Sequence, residues 1–406
     1  MIIGIDISST QYGTGVSDYT LNLVKNLIKV DHQNTYKLFF ASLRQPLPPA
    51  IKKLARNKHV RLYRYRLPLN LFEILFNRLR LPIEFFIDKV DVFHSSDWTQ
   101  PSALKAKIIT TIHDLTPFIN PAWQHPRIIS VHRRKMKLAT RFCSHFICVS
   151  QNSRQDLLRL FPSIDPHKTS VIYEAAPKKY RLFHQLSLHQ KNKTIKAIKA
   201  KYHLSQFLLA QGTREPRKNL NRLIKAFVAF KKSHPQSRLQ LAITGKYGWG
   251  QDISKNPHPD IKILGFVPDA DLLPLHAASY ALIYPSLYEG FGLPILKSLS
   301  LGIPVITSST SSLPEVAGNA ALYVNPTSTK SISIAIQKIV SSPNTYNKLS
   351  QAAILQSRKF SWTKTARQTL AIYQKINNTF FEAILNPVTD SPSKKNGIVD
   401  CHNKLK

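Results

Sequence analysis

Glu289 stands between Tyr288 and the glycines Gly290 and Gly292. It directly follows the apolar run 280–284 and precedes Pro294. A carboxylate in such a turn can accept hydrogen bonds from hydroxyls and stabilise positive charge growing on a reacting carbon. Its setting is a strand, a Gly-rich turn and a helix N-terminus, the last marked by a proline suited to a first helical turn. That setting can hold an anion or a polyol. A second group is cationic: Arg214, Arg217 and Lys218 lie between Gly212 and the helical pattern NLNRLIKAFVAFKK. Cations at a helix start oppose the helix dipole, and a bound anion would relieve them. A solvated charge run explains that helix poorly. His113 and Asp114 end the strand pattern KIITTIHD, and Asp97 and Trp98 end DVFHSSDW. Asp97 could hydrogen-bond a sugar and Trp98 could stack on one, although a buried Trp corner accounts for Trp98 equally well. Gly13 and Gly15 form a turn after the first strand where a backbone can approach a ligand.

The elements that must position these residues alternate. IIGIDI, YKLFFAS, HVRLYRYR, Asp91–His94, KIITTIHD and HFICVS read as strands, with helical spacing between, as at Val16, Tyr19, Leu23, Leu27 and Val30. A second series follows with FLLAQGT, LQLAITG, IKILGFV, ALIYPS, PVITSS and AALYV. Such alternation implies α/β folding with parallel sheets covered by helices on both faces. The expected division is a first domain over 1–178, a polar, nearly structureless linker over 179–203 that could hold a short helix in TIKAIKAKY, and a second domain over 204–360. A helix over 361–385 returns to the first domain, and a disordered tail covers 386–406.

The 406 residues suffice for two ordinary domains, and the 43% hydrophobic content can fill their cores. Cys143, Cys148 and Cys401 make no CxxC pair and no even framework, so a reducing compartment and no disulfides are expected. No apolar run reaches the length of a membrane span, and the N-terminal strand lacks the basic region of a signal peptide. A cytoplasmic location is expected. The balance of 57 basic against 22 acidic residues favours an anionic partner. Segments 51–80 and 127–141 mix cations with large apolar residues, which suits an anionic membrane surface. It also suits helices whose long cations cover their own core edge. Nucleic acid is the weakest alternative, since no aromatic-basic platform and no basic helix-turn-helix stands out.

The stretch EGFGLP at 289–294 resembles the signature of retaining glycosyltransferases of family 4, which have the GT-B architecture of two Rossmann-like domains facing across a cleft. GTREPRKN at 212–219 resembles the form found in mannosyl- and rhamnosyl-transferase-like members. TTIHD, GFVPDADLL, SSLPEVAG and FSWTKTARQ fall in the same order, so the resemblance runs from Ile2 to about Tyr373. It implies transfer of a sugar from a nucleoside diphosphate-sugar, GDP-mannose-like or a UDP-sugar, to a glycan or lipid-linked acceptor. No metal and no other cofactor is implied, and the location would be the inner face of a membrane.

The resemblance also implies roles. His113 and Glu289 would be catalytic. Gly13, Gly15, Gly212, Lys218, Gly290, Phe291, Gly292 and Leu293 would hold the donor, with the nucleobase at the backbone of Phe266 and Val267. Many members carry an arginine where this chain has Thr213, so Arg214 or Arg217 would supply the guanidinium. Asp97 and Trp98 would face the acceptor. The family's second glutamate, eight residues after the first, accepts from the ribose diol. Here it is Lys297, which has donors only and could reach a donor phosphate or Glu289. That departure keeps open a non-catalytic relative that binds a nucleotide-sugar or a partner.

Overall fold

The computed structural model describes residues 1–250, 253 and 258–385, with the side chains of 379–385 left aside. Cys401 and the segment 386–406, expected to be disordered, lie outside the described residues. The first sheet contains β1 (Ile2–Asp6), β2 (Thr35–Ala41), β3 (Val60–Tyr65), β4 (Val92–Ser95), β5 (Lys107–Ile112), β6 (His145–Cys148) and β7 (Thr169–Val171). Its order is β3-β2-β1-β4-β5-β6-β7, with every pair parallel. The second contains β8 (Phe207–Gln211), β9 (Gln240–Thr244), β10 (Ile261–Gly265), β11 (Ala281–Tyr284), β12 (Val305–Ser308) and β13 (Ala321–Val324), in the order β10-β9-β8-β11-β12-β13. The central strands are buried, which explains their unbroken apolar runs.

In both sheets the strand order reverses beside the first strand, between β1 and β4 and between β8 and β11. A crevice opens at the carboxyl ends of such strands. The turns carrying Gly13 and Gly15, Asp97 and Trp98, Gly212 to Lys218, and Glu289 follow β1, β4, β8 and β11 respectively.

Seven helices matter to the site. They are α1 (Gly15–Val30), α2 (Pro126–Phe142), α3 (Leu188–Lys201), α4 (Leu220–Ser233), α5 (Asp269–Ala278), α6 (Leu293–Leu299) and α7 (Trp362–Leu385). Thr14 starts α1 and donates its backbone N–H to Ser17 Oγ at 3.1 Å. Gly292 starts α6 at φ 115°, a conformation that favours glycine, and Pro294 occupies the first turn. The linker is more ordered than expected: its helix is not confined to TIKAIKAKY but runs over Leu188–Lys201, and Lys178–Leu182 is helical too. Ser187 caps α3 by accepting from Gln190 N, and α3 packs on α5 of the second half. Its high Lys content hides the pattern, because one narrow apolar edge suffices for a helix lying on a surface.

Helix α7 packs on α1. Tyr373 is fully buried there, with its hydroxyl 2.6 Å from Nδ1 of His94. One apolar cluster runs from Ile3 and Leu23 in the first half through Tyr180 to Leu296, Trp362 and Tyr373. The two halves therefore share a core at this edge of the cleft. Cys143 and Cys148 are free thiols in the first half's interior, and burial pushes each to about 12.

Candidate active site

The two sheets direct their carboxyl ends at one another, and the loop after β11 is the point of contact. Gly290 lies directly against the backbone of His113. A Cβ built on Gly290 would fall 1.7 Å from the His113 carbonyl oxygen, so no other residue fits. The Gly290 carbonyl accepts from Ser150 Oγ at 2.7 Å and Ser153 Oγ at 3.0 Å, both from the first half. On its other side the loop is held by Ser312, whose hydroxyl donates to the carbonyls of Glu289 and Phe291. Glu315 ties the halves again, accepting from Gln151 N at 2.8 Å and Tyr173 Oη at 2.6 Å. The Trp249 indole N–H donates to the Trp123 carbonyl at 2.6 Å on another stretch of the rim.

Glu289 is buried and bonded through both oxygens. Oε1 accepts from Lys218 Nζ and Oε2 from Arg217 Nη1, each at 2.6 Å. Lys218 also donates to Tyr284 Oη at 2.6 Å, and Arg217 pairs with Glu215 at 2.8 Å. Burial by itself would raise the Glu289 carboxyl, but the two cations outweigh it and hold the group at about 2. Burial and the adjacent Arg217 push Lys218 down, against the pull of Glu289. Burial raises Glu215, and its two cationic neighbours moderate that rise. The cations gathered before α4 thus find their anion in a carboxylate of the same half. Arg217 Nε is buried without a hydrogen-bond partner. Such a donor costs free energy unless a ligand oxygen takes it.

Of the two arginines left open by the sequence, Arg217 lies at this cluster. Arg214 turns toward β10, its Nη2 3.8 Å from where a Gly265 Cβ would stand. Gly212 is at φ 147°, with Lys218 folded over it. Phe266 is 62% exposed beside Lys246, whereas Val267 is buried. Asp97 and Trp98 are half-buried, and Trp98 meets the His132 ring edge-on at 5.9 Å. Gly13, at φ 66°, has open space around it, and Gly15 faces Leu293 across the cleft. Phe291 and Leu293 are buried.

His113 follows β5 with its ring edge-on to Tyr19 at 4.6 Å and Nδ1 3.5 Å from Glu174 Oε1. Lys297 reaches neither Glu289 nor the phosphate-type cations. Its Nζ crosses the cleft to Asp18 Oδ2 at 2.7 Å, and the lysine side chain is 6% exposed. The sequence reading named Lys297 but missed Asp18, Glu174 and Glu215. Asp18 resembles an ordinary first-turn helix acid, and Glu215 an ordinary loop acid. Glu174 ends the VIY strand run, a placement at a strand's carboxyl end that could have singled it out.

Among the described residues, no three His, Cys, Asp or Glu side chains are grouped to hold a metal ion. A surface depression bordered by Lys231, Gln240 and Asp260 lies at the amino ends of β9 and β10, away from the ligand-binding edge.

Two family models match the chain. Glycosyltransferase Family 4 covers residues 13–176, and Glycosyl transferases group 1 covers 191–356. O-antigen chain mannosyltransferase B of Escherichia coli is 28% identical over 375 residues, 89% of this chain and 96% of that protein. The serotype-specific mannosyltransferase WbdA of Escherichia coli is 26% identical over 66% of this chain, which spans 34% of its length. O-antigen chain mannosyltransferase RfbU of Salmonella typhimurium is 28% identical, with 58% of this chain and 61% of that protein covered. Among solved structures, sucrose-phosphate synthase from Thermosynechococcus elongatus superposes with a TM-score of 0.71 at 16% identity, covering 93% of this chain and all of that one. Anabaena HepE in complex with UDP and glucose gives 0.65 at 16% identity, covering 92% of this chain and 100% of its own. These structural likenesses establish the fold.

Proposed function

We propose, for a chain that is a GT-B-fold glycosyltransferase related to the family 4 mannosyltransferases, that it transfers mannose or a similar hexose with retention of configuration. Transfer from a nucleoside diphosphate-sugar to an acceptor follows from the fold and family. The finer reading is a GDP-mannose-like donor, a growing or lipid-linked glycan as acceptor, and no metal requirement. Three relatives, O-antigen chain mannosyltransferase B, WbdA and RfbU, are mannosyltransferases by name, which supports the sugar.

One observation carries the site reading: both oxygens of buried Glu289 are held by Arg217 and Lys218, beside a backbone contact to His113. Two cations and an unpartnered guanidinium N–H can neutralise a leaving diphosphate, which removes the need for a metal. Glu289 then lies where positive charge on the transferred carbon would be stabilised. His113 supplies an imidazole to the same point. With a domain division of 1–178 and 204–360, donor and acceptor would take opposite walls of the cleft, and closure would align them. Lys218→Ala should weaken nucleoside diphosphate binding by about 1–3 kcal/mol, as loss of a charged hydrogen bond does. Calorimetry with GDP and UDP tests this, and unchanged affinity for whichever binds rejects the cradle. Turnover undiminished by a chelator is expected.

Peripheral binding to an anionic membrane belongs to the same reading. Helix α2 turns Val131, Met136 and Ala139 into the core and leaves Phe142, at its end, exposed. Exposed apolar side chains gather at Leu79, Phe85, Leu104 and Phe142. Arg78, Arg80, Lys105 and Arg141 are exposed among them, and the Arg80 guanidinium lies 4.4 Å over the Phe142 ring. No helix among the described residues is long and apolar enough to cross a membrane. The protein should sediment with vesicles containing anionic lipid and be released by salt. Equal binding to neutral vesicles rejects the electrostatic part. The second reading, a non-catalytic relative, is favoured by the Lys297–Asp18 pair standing where the family has an acid. Absence of turnover with all common donors would select it.

A further inference from the structure

His113 is held on three sides. Its carbonyl is fixed against Gly290, its ring meets Tyr19 edge-on, and Nδ1 faces Glu174 at 3.5 Å. The first two contacts place the ring without distinguishing its nitrogens. Glu174 does distinguish them, because a carboxylate accepts only from a nitrogen that carries a proton. The Glu174 side chain is 5% exposed, and among the described residues the imidazole is the group its carboxylate meets. Its backbone is anchored too, since the preceding carbonyl, of Tyr173, accepts from Thr365 Oγ1 of α7 at 2.7 Å.

We propose that Glu174 is the positioning residue for His113. Its carboxylate accepts the Nδ1 proton and leaves Nε2 as the unprotonated nitrogen that meets a substrate hydroxyl. A buried carboxylate needs a favourable field to stay ionised. Burial raises the Glu174 carboxyl above its ordinary value, with Asp18 adding to the rise, and His113 and then Lys297 pull against it. The Lys297–Asp18 pair therefore lies in the same electrostatic neighbourhood as the imidazole. A lysine at the position where the family has an acid offsets two carboxylates, Asp18 and Glu174, that the first half brings to the cleft. The proposal rests on the reading above only for its kinetic arm.

The test uses the full chain labelled with ¹⁵N-histidine, with His113→Gln to assign the ring signals. The wild type should show His113 as the Nδ1–H tautomer, and a dominant Nε2–H tautomer overturns the proposal. Glu174→Leu should lose that signature. It should also lower kcat by about 10–100-fold while the donor KM stays within about threefold, the pattern of lost positioning rather than lost binding. Glu174→Gln keeps an acceptor and should retain the tautomer and most of kcat. An unchanged tautomer and kcat in Glu174→Leu would overturn the assignment. Should Glu174→Leu fail to fold, the wild-type tautomer decides. Absence of turnover with every donor would count against the proposed function, while the tautomer signature would stand or fall by itself.

Discussion

Glu289→Ala should sharply lower sugar transfer while leaving nucleoside diphosphate affinity unchanged or higher. The carboxylate neutralises Arg217 and Lys218, both buried, each at 2.6 Å. Removing it leaves buried Lys218 without its carboxylate partner and Arg217 with Glu215 alone. Loss of one partner from a buried ion pair costs about 3–5 kcal/mol of stability. A diphosphate presents negative oxygens to the same donors and would fill the gap, so GDP or UDP should raise the variant's thermal midpoint more than the wild type's. Transfer should still fall about 10²–10³-fold if Glu289 is the group that stabilises charge on the reacting carbon. Parallel loss of diphosphate affinity would show instead that Glu289 contacts the nucleotide favourably. The pH dependence has a fixed sign. Glu289 lies near 2 when folded, against an ordinary value of 4.5. Its stabilising contribution is therefore complete above about 4.5 and is lost as pH falls toward 2. Acid unfolding of Glu289→Ala should be shallower than that of the wild type across this window.

Lys297→Glu restores the acid that the family carries, yet it should weaken donor binding and turnover by about 5–30-fold, equivalent to about 1–2 kcal/mol. The wild-type lysine meets Asp18 across the cleft at 2.7 Å, and its charge counters part of the rise that burial imposes on the Glu174 carboxyl. A glutamate there would gather three carboxylates and push the halves apart. The charge-swapped double variant, Lys297→Glu with Asp18→Lys, should recover part of the loss if the ion pair is what matters. Tighter binding and faster turnover in Lys297→Glu alone would mean that the lysine is a defect and that the cleft tolerates the acid.

The sequence by itself determined the sheets, their parallel sense and the turns that carry the chemistry. Apolar runs such as ALIY at 281–284 can be buried only as central strands, and Gly292 followed by Pro294 marks a helix start whatever surrounds it. EGFGLP and GTREPRKN were legible because local backbone geometry and charge fix such turns. Of the helix over Leu188–Lys201 only the end, TIKAIKAKY, was legible, since lysines and polar residues obscure its narrow apolar edge. Partnership across the cleft was decided only by tertiary structure. Asp18 and Lys297 are 279 residues apart, and Gly290 touches a carbonyl in the other half. Nothing in the local pattern records a pairing made by how two separate sheets dock. Whether a lysine at the family's acidic position meets Glu289, a phosphate or Asp18 depends on that docking, because a long flexible cation takes whichever anion the opposite wall presents.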